Sequence, residues 1–155
     1  MIHVLVVSDS HGDETVLRKA LAQHPKATVV IHLGDGAAEA ERLAADDARE
    51  WYIVRGNCDV GGGAPVNRTV SVGGAKLYLT HGYAQHVKSG LLNLTYTAKE
   101  QEVAAALYGH THIPAVDFHE GLMLINPGSA AYTRTCAVLE IERGQIYPRM
   151  CTIDS

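Results

Sequence analysis

The sequence predicts an α/β fold in which a parallel sheet flanked by helices is backed by a second, more antiparallel sheet. Over the opening third of the chain, apolar β-branched runs alternate with amphipathic helical segments. The remainder is mostly a succession of short β-rich runs, three pairs of which are separated by Gly-containing dipeptides. Short polar blocks follow the ends of the early strands, at the edge where open α/β sheets place their sites.

Residues 2–7 read as a buried strand, with Asp9 just beyond its end. Asp13 is placed to cap a helix running to about residue 22, with Val16, Leu17, Ala20 and Leu21 as its apolar stripe. Residues 27–33 form a second β-rich run that delivers Gly34-Asp35. An Ala- and Glu-rich helix is predicted over residues 37–48, and a third strand over 51–54 ends at Arg55-Gly56-Asn57. Residues 58–65 read as a Gly-rich loop; its Gly61-Gly62-Gly63 run lacks the Lys-Ser/Thr ending of a Walker motif.

In the second half, strands are predicted over residues 68–72, 76–80, 107–108, 115–118, 122–125, 136–141 and 145–148. Gly73-Gly74, Glu120-Gly121 and Arg143-Gly144 are the turns between three pairs of them. Residues 97–106 read as the one clear helix of this half, and residues 83–96 as a loop with a short helical turn. With 155 residues and no linker or repeat, a single domain over residues 1–155 is expected.

The formal net charge of -4 gives no support for a general nucleic-acid binder. Cys58, Cys136 and Cys151 are an odd set without framework spacing, which suits a reducing compartment. The apolar start of the chain is too short to span a membrane and lacks a signal peptide's basic leader. A cytoplasmic enzyme or adaptor is the expectation, and an exposed antiparallel edge strand offers a route to a homo-oligomer.

The chemistry lies in blocks of metal-type side chains: Asp9-Ser10-His11, Gly34-Asp35, Gly56-Asn57-Cys58-Asp59, His81-Gly82 and Gly109-His110-Thr111-His112. Together they supply enough carboxylate, imidazole and amide oxygen for two adjacent divalent ions. Asp9 and Asp35 offer hard anionic oxygens; each is otherwise a cap for the helix that follows. His110 and His112, two apart, would face the same way if extended. Asp59 is either an acceptor for a histidine N–H or a capping and turn residue. His32 reads as buried beside the site. His86 is either a substrate contact and proton donor or a solvent-facing loop residue, and Arg55 either meets phosphate or is an exposed strand-end arginine.

With Thr80-His81-Gly82 and Asn126-Pro127-Gly128-Ser129 added, these blocks resemble, in order, those of the calcineurin-like metallophosphoesterases. The closer likeness is to the small bacterial and archaeal phosphodiesterase branch that shares its fold with the retromer subunit. The resemblance implies two facing mixed β-sheets flanked by helices. It also implies that Asp9, His11 and His112 hold one metal, that Asn57, His81 and His110 hold the other, and that Asp35 bridges both. Cys58 stands where larger relatives carry a histidine that serves the leaving group. The candidate catalytic residues are therefore Asp35, Asn57, Cys58 and His86, with the general acid unassigned. The Asn126-Pro127-Gly128-Ser129 turn, without an acidic residue, reads as structural.

The reaction expected is hydrolysis of a small phosphoester, a diester before a monoester because of the branch resemblance. Metal coordination lowers the pKa of water from about 15.7 to about 7, so a metal-activated hydroxide needs no separate protein base. The donor set suits Mn, Fe, Co, Ni or Zn, with manganese the expectation. The reading from another class is a non-catalytic interaction scaffold on the same fold, which predicts loss of a ligand; none is missing here.

Overall fold

The computed structural model describes residues 1–61 and 63–154. Gly62, in the middle of the Gly61-Gly62-Gly63 run, and Ser155 lie outside the described residues.

Strands β1 (Ile2–Val7), β2 (Val29–His32) and β3 (Glu50–Ile53) pair in parallel, as the alternating opening requires. Helices α1 (Glu14–Gln23) and α2 (Ala37–Ala45) make the crossovers. Asp13 caps α1 by accepting the Val16 N–H at 3.0 Å, and Val16, Leu17 and Ala20 are buried beneath it. Helix α2 stops three residues before the predicted end. There the Asp47 carboxylate turns aside to accept bonds from Arg49 Nη1 and Trp51 Nε1 at 2.9 and 2.7 Å.

The second sheet contains β4 (Asn67–Val72), β5 (Ala75–Thr80), β6 (Ala105–Leu107), β7 (Ala115–His119) and β8 (Leu122–Asn126), in the order β4-β5-β6-β8-β7. β5, β6 and β8 run parallel, with antiparallel β4 and β7 at the edges. The last two strands, β9 (Thr135–Glu142) and β10 (Gln145–Thr152), do not join this sheet. They extend the first antiparallel beside β1, giving β10-β9-β1-β2-β3. Both sheets are thus mixed. Gly73-Gly74, Glu120-Gly121 and Arg143-Gly144 form the three hairpin turns; both central residues of each have positive φ, as type I′ turns require.

The helix predicted over residues 97–106 is displaced. α3 spans Leu92–Glu100, preceded by a single 3-10 turn at Val87–Ser89, and residues 105–107 are instead the central strand β6. The Ala-rich run has high helix propensity, but tertiary burial on both faces overrides it. Ala105 and Leu107 face the inter-sheet core, while Ala106 faces α3 together with Leu94 and Ala98. Small side chains at this layer let the helix approach closely.

The main core lies between the sheets, built from alternate residues such as Val4, Val6, Leu77, Leu79, Ile125 and Leu139. α1 and α2 cover the outer face of the first sheet and α3 that of the second, which completes a helix–sheet–sheet–helix sandwich. No helix among the described residues is long and apolar enough to cross a membrane. Cys136 and Cys151 face one another in register on β9 and β10, and all three cysteines are free thiols.

Candidate metal centre

Each polar block follows one of the six strands that run parallel within the two sheets: β1, β2 and β3 in the first, β5, β6 and β8 in the second. The blocks meet across the sandwich. His81 contacts the Leu33 carbonyl through Nδ1 at 2.8 Å, and the His110 N–H donates to Asp9 Oδ2 at 3.1 Å. With Nδ1–H committed to Leu33, the Nε2 lone pair of His81 points at the centre.

Two groups of side-chain donors result. Asp9, His11 and His112 bring one ligand atom each to within 4.8 Å of one another, and so do Asp35, His81 and His110. In the first group, Nε2 of His112 and of His11 lie 3.2 and 3.5 Å from Asp9 Oδ1, and 3.4 Å from each other. In the second, His81 Nε2 is 3.2 Å from Asp35 Oδ2 and 3.2 Å from His110 Nδ1. Asp9 Oδ1 also lies 3.9 Å from His81 Nε2, so the groups adjoin.

Asp9 is fully buried, and its Oδ1 accepts no hydrogen bond among the described residues. Its other oxygen is satisfied by the Ser8 hydroxyl at 2.6 Å and the His110 N–H. An anionic oxygen held dry without a donor, and ringed by imidazole nitrogens, fits a bound cation. The donors are borderline nitrogens with hard oxygens, which suits a divalent transition metal.

The backbone is bent to aim these groups. Asp9, His11, Asp35, His110 and His112 all have positive φ, between 45° and 71°. Such conformations are uncommon outside glycine, and they gather where a site over-determines them. The block glycines explain the rest of the motif spacing. A Cβ on Gly56 would lie 2.2 Å from Asp35 Oδ1, and one on Gly109 would lie 2.1 Å from Ser8 Oγ and 2.8 Å from Asp9 Oδ2. Each glycine lets one block lie against a carboxylate of another.

Burial alone would raise the Asp35 pKa; the contact with His81 and the Cys58 N–H reverse that and hold it well below the usual carboxylate range. Burial works against the charged form of His81 as well, yet Asp35 and Asp9 raise its pKa on balance. The pKa of His110 is lowered by burial and by the neighbouring His81 and Lys88. The Cys58 thiol is pushed up by desolvation and by Asp35.

Asn57 and Cys58 are both exposed, and Asn57 lines a cavity of about 370 Å³ next to His81. Cys58 touches Asp35 with its backbone N–H, which donates to Oδ1 at 2.8 Å, rather than with its sulfur. His86 is exposed, does not line this cavity and belongs to neither donor group. Asp59 is a cap. Its carboxylate accepts the N–H groups of Asp35 and Gly56 on one oxygen and of Gly36 and Ala37 on the other, at 2.8–3.1 Å. It thus closes the start of α2, where Gly36 has no side chain to do so. The turn after β8 is a brace: Asn126 Nδ2 donates to the Gly109 carbonyl and Thr111 Oγ1, and Ser129 Oγ donates to the Asp9 carbonyl.

One supporting residue, Glu39, has no sequence signal of its own. Ser10 Oγ lies 2.9 Å from both His32 Nε2 and the buried Glu39 Oε2, which also takes the Gly12 N–H. The Gly34 N–H donates to His32 Nδ1 at 3.1 Å. This fixes the neutral tautomer with its proton toward Ser10, and burial keeps the ring neutral, with its pKa down at about 4. The chain ties the loop carrying Asp9 and His11 to β2 and α2. Tyr132 and Tyr83 were also not legible: Tyr132 stands 5.0 Å from the His11 ring, and Tyr83 stands 5.5 Å, edge-on, from His110.

A sandwich of two mixed sheets carrying paired Asp/His clusters defines a metallophosphoesterase-type centre. Residues 2–144 match the calcineurin-like phosphoesterase superfamily domain, and the chain belongs to that superfamily. It is similar to the probable metallophosphoesterase YsnB of Bacillus subtilis, with 33% identity over 91% of this chain and 85% of that protein. Among solved structures it resembles Vps29 from Cryptosporidium parvum, at TM-score 0.78 and 20% identity over 97% of this chain and 96% of that one. It also resembles a structure described as a novel archaeal phosphodiesterase, at TM-score 0.73 and 21% identity over 97% and 100%. At these identities the likeness to both structures is one of fold.

Proposed function

We propose that this chain is a manganese-dependent phosphodiesterase, acting as one domain on a small phosphoester in the cytoplasm. The observation that carries the reading is the pair of adjoining donor groups around the unpartnered Asp9 Oδ1. In this reading Asp9, His11 and His112 hold one ion, and Asn57, His81 and His110 hold the other. Asp35, whose two oxygens are held between His81 and the Cys58 N–H, is shared between them.

Bound there, two divalent ions would supply charge for the phosphoryl oxygens and would make water a competent nucleophile near neutral pH. The residues supply position. Leu33 fixes which nitrogen His81 presents, Ser8 and His110 N–H hold the Asp9 carboxylate at one angle, and the Ser10–Glu39 chain keeps the loop between Asp9 and His11 in place. Two carboxylates set against two divalent ions would leave the site net positive, which suits an anionic ester. The diester preference draws on the branch resemblance and on the archaeal phosphodiesterase of the same fold. Cys58, exposed and with its thiol pKa raised, is a poor proton donor, so an ester with a good leaving group is the expected substrate.

The test is a metal-by-substrate screen from metal-free protein. Manganese should restore hydrolysis of bis-p-nitrophenyl phosphate ahead of p-nitrophenyl phosphate, with Cys58→Ala close to wild type. Equal or greater monoester turnover would make it a monoesterase. Full metal loading without hydrolysis of either ester would favour the scaffold reading.

A further inference from the structure

The candidate metal centre opens on one side into the cavity of about 370 Å³, within the range of about 300–1,000 Å³ usual for small-molecule sites. His81, which is buried, and Asn57 line it on the side of the candidate centre. Tyr83, Val66, Ala84 and Arg55 also line it. Tyr83 is 59% exposed and Val66 42%, so apolar surface beside the candidate centre is open to a ligand. The Arg55 side chain makes no hydrogen bond or ion pair among the described residues; its only bond is from its backbone N–H to the Pro65 carbonyl.

A flat aromatic face and an uncommitted guanidinium on the wall of one cavity are the partners of a planar ring attached to an anion. The two other exposed features near the centre are built differently. Tyr132 leans on the His11 and His112 rings but does not line this cavity. The cavity lined by Lys88, Leu91, Thr111 and Ile113 contains none of the metal-type donors.

We infer that the cavity between Tyr83 and Arg55 binds a planar aromatic ester group of the substrate, such as an aryl or nucleoside group, with its phosphoryl end toward His81 and Asn57. This rests on the phosphoester reading and narrows it to aromatic esters. Tyr83 offers its face to the ring, Val66 and Ala84 exclude water from its edge, and Arg55 faces the anionic end.

The experiment is calorimetric titration of manganese-loaded protein with phenylphosphonate, cyclohexylphosphonate and methylphosphonate, which have no ester bond to hydrolyse. Phenylphosphonate should bind about tenfold tighter than methylphosphonate, the scale of one ring stacked on an aromatic side chain, and also tighter than cyclohexylphosphonate. In Tyr83→Leu the phenyl-to-methyl ratio should collapse toward one, and in Tyr83→Trp it should persist. Tyr83 is mostly exposed, so both variants should fold. A ratio near one in the wild type, a ratio unmoved in Tyr83→Leu, or cyclohexyl binding equal to phenyl would each overturn the inference. Hydrolysis of methyl p-nitrophenyl phosphate by the same preparation separates the two readings. Turnover without phenyl preference removes the aromatic pocket alone, whereas phenyl preference without turnover of any ester keeps the pocket and removes the phosphoesterase.

Discussion

The buried Oδ1 of Asp9 lies 3.2 Å from Nε2 of His112, yet accepts no hydrogen bond from any described residue. Nε2 of His11 and of His81 stand at 3.5 and 3.9 Å on its other sides. An ionised oxygen in such a place costs several kcal/mol unless something offsets its charge. Three imidazole nitrogens surround it, and none donates a hydrogen bond to it. Asp9 therefore touches histidines of both donor groups and stands at the junction of the centre.

Asp35 carries the proposed bridge, so Asp35→Asn should weaken binding of both ions, where His112→Ala should weaken one. The expected loss in affinity or turnover is at least the ~10–100-fold typical of a disturbed metal shell. Manganese titration read by calorimetry alongside kinetics checks it. Near-normal turnover with both ions retained would remove the bridge.

Gly56→Ala places a Cβ 2.2 Å from Asp35 Oδ1 and 2.5 Å from the Asp35 backbone nitrogen. Neither can yield without moving the loop that starts α2. Chemical denaturation should show a loss of about 1–3 kcal/mol, the scale of forced overpacking, together with weaker metal binding. Gly63→Ala, with nothing within 4 Å of its added Cβ, is the control and should do neither.

The order of the strands up to residue 80 and the polar blocks that follow them were legible because both are local: β-branched runs, capping residues, and short blocks at strand ends. The Ala-rich strand β6 was not, because its identity comes from two neighbouring strands and from α3, which are distant in sequence. The placement of β9 and β10 beside β1 was hidden for the same reason. Asp59 could be read two ways, and only the fold shows its four backbone donors. Glu39 looked like one more polar residue on a helix, because its partners Ser10 and Gly12 are brought to it by the β1–β2 pairing.

His32 gives the protein a specific pH dependence. Its folded pKa is about 4, below the ~6.5 of an exposed imidazole, so between these values the unfolded chain binds the extra proton. Its contribution is intact above about pH 6.5 and falls by about 3 kcal/mol as pH drops toward 4. Urea unfolding of metal-free protein across that window should show a steeper loss for wild type than for His32→Gln. Parallel curves would mean that His32 does not titrate as buried.

The central claim is a paired metal centre, and counting the metals tests it most directly. Protein stripped with chelator, reloaded with manganese and freed of excess should contain two ions per chain by elemental analysis. Anomalous scattering should then place one among Asp9, His11 and His112 and the other among Asp35, His81 and His110. A single ion at saturation, or two ions of which neither touches His81 and His110, would contradict the account.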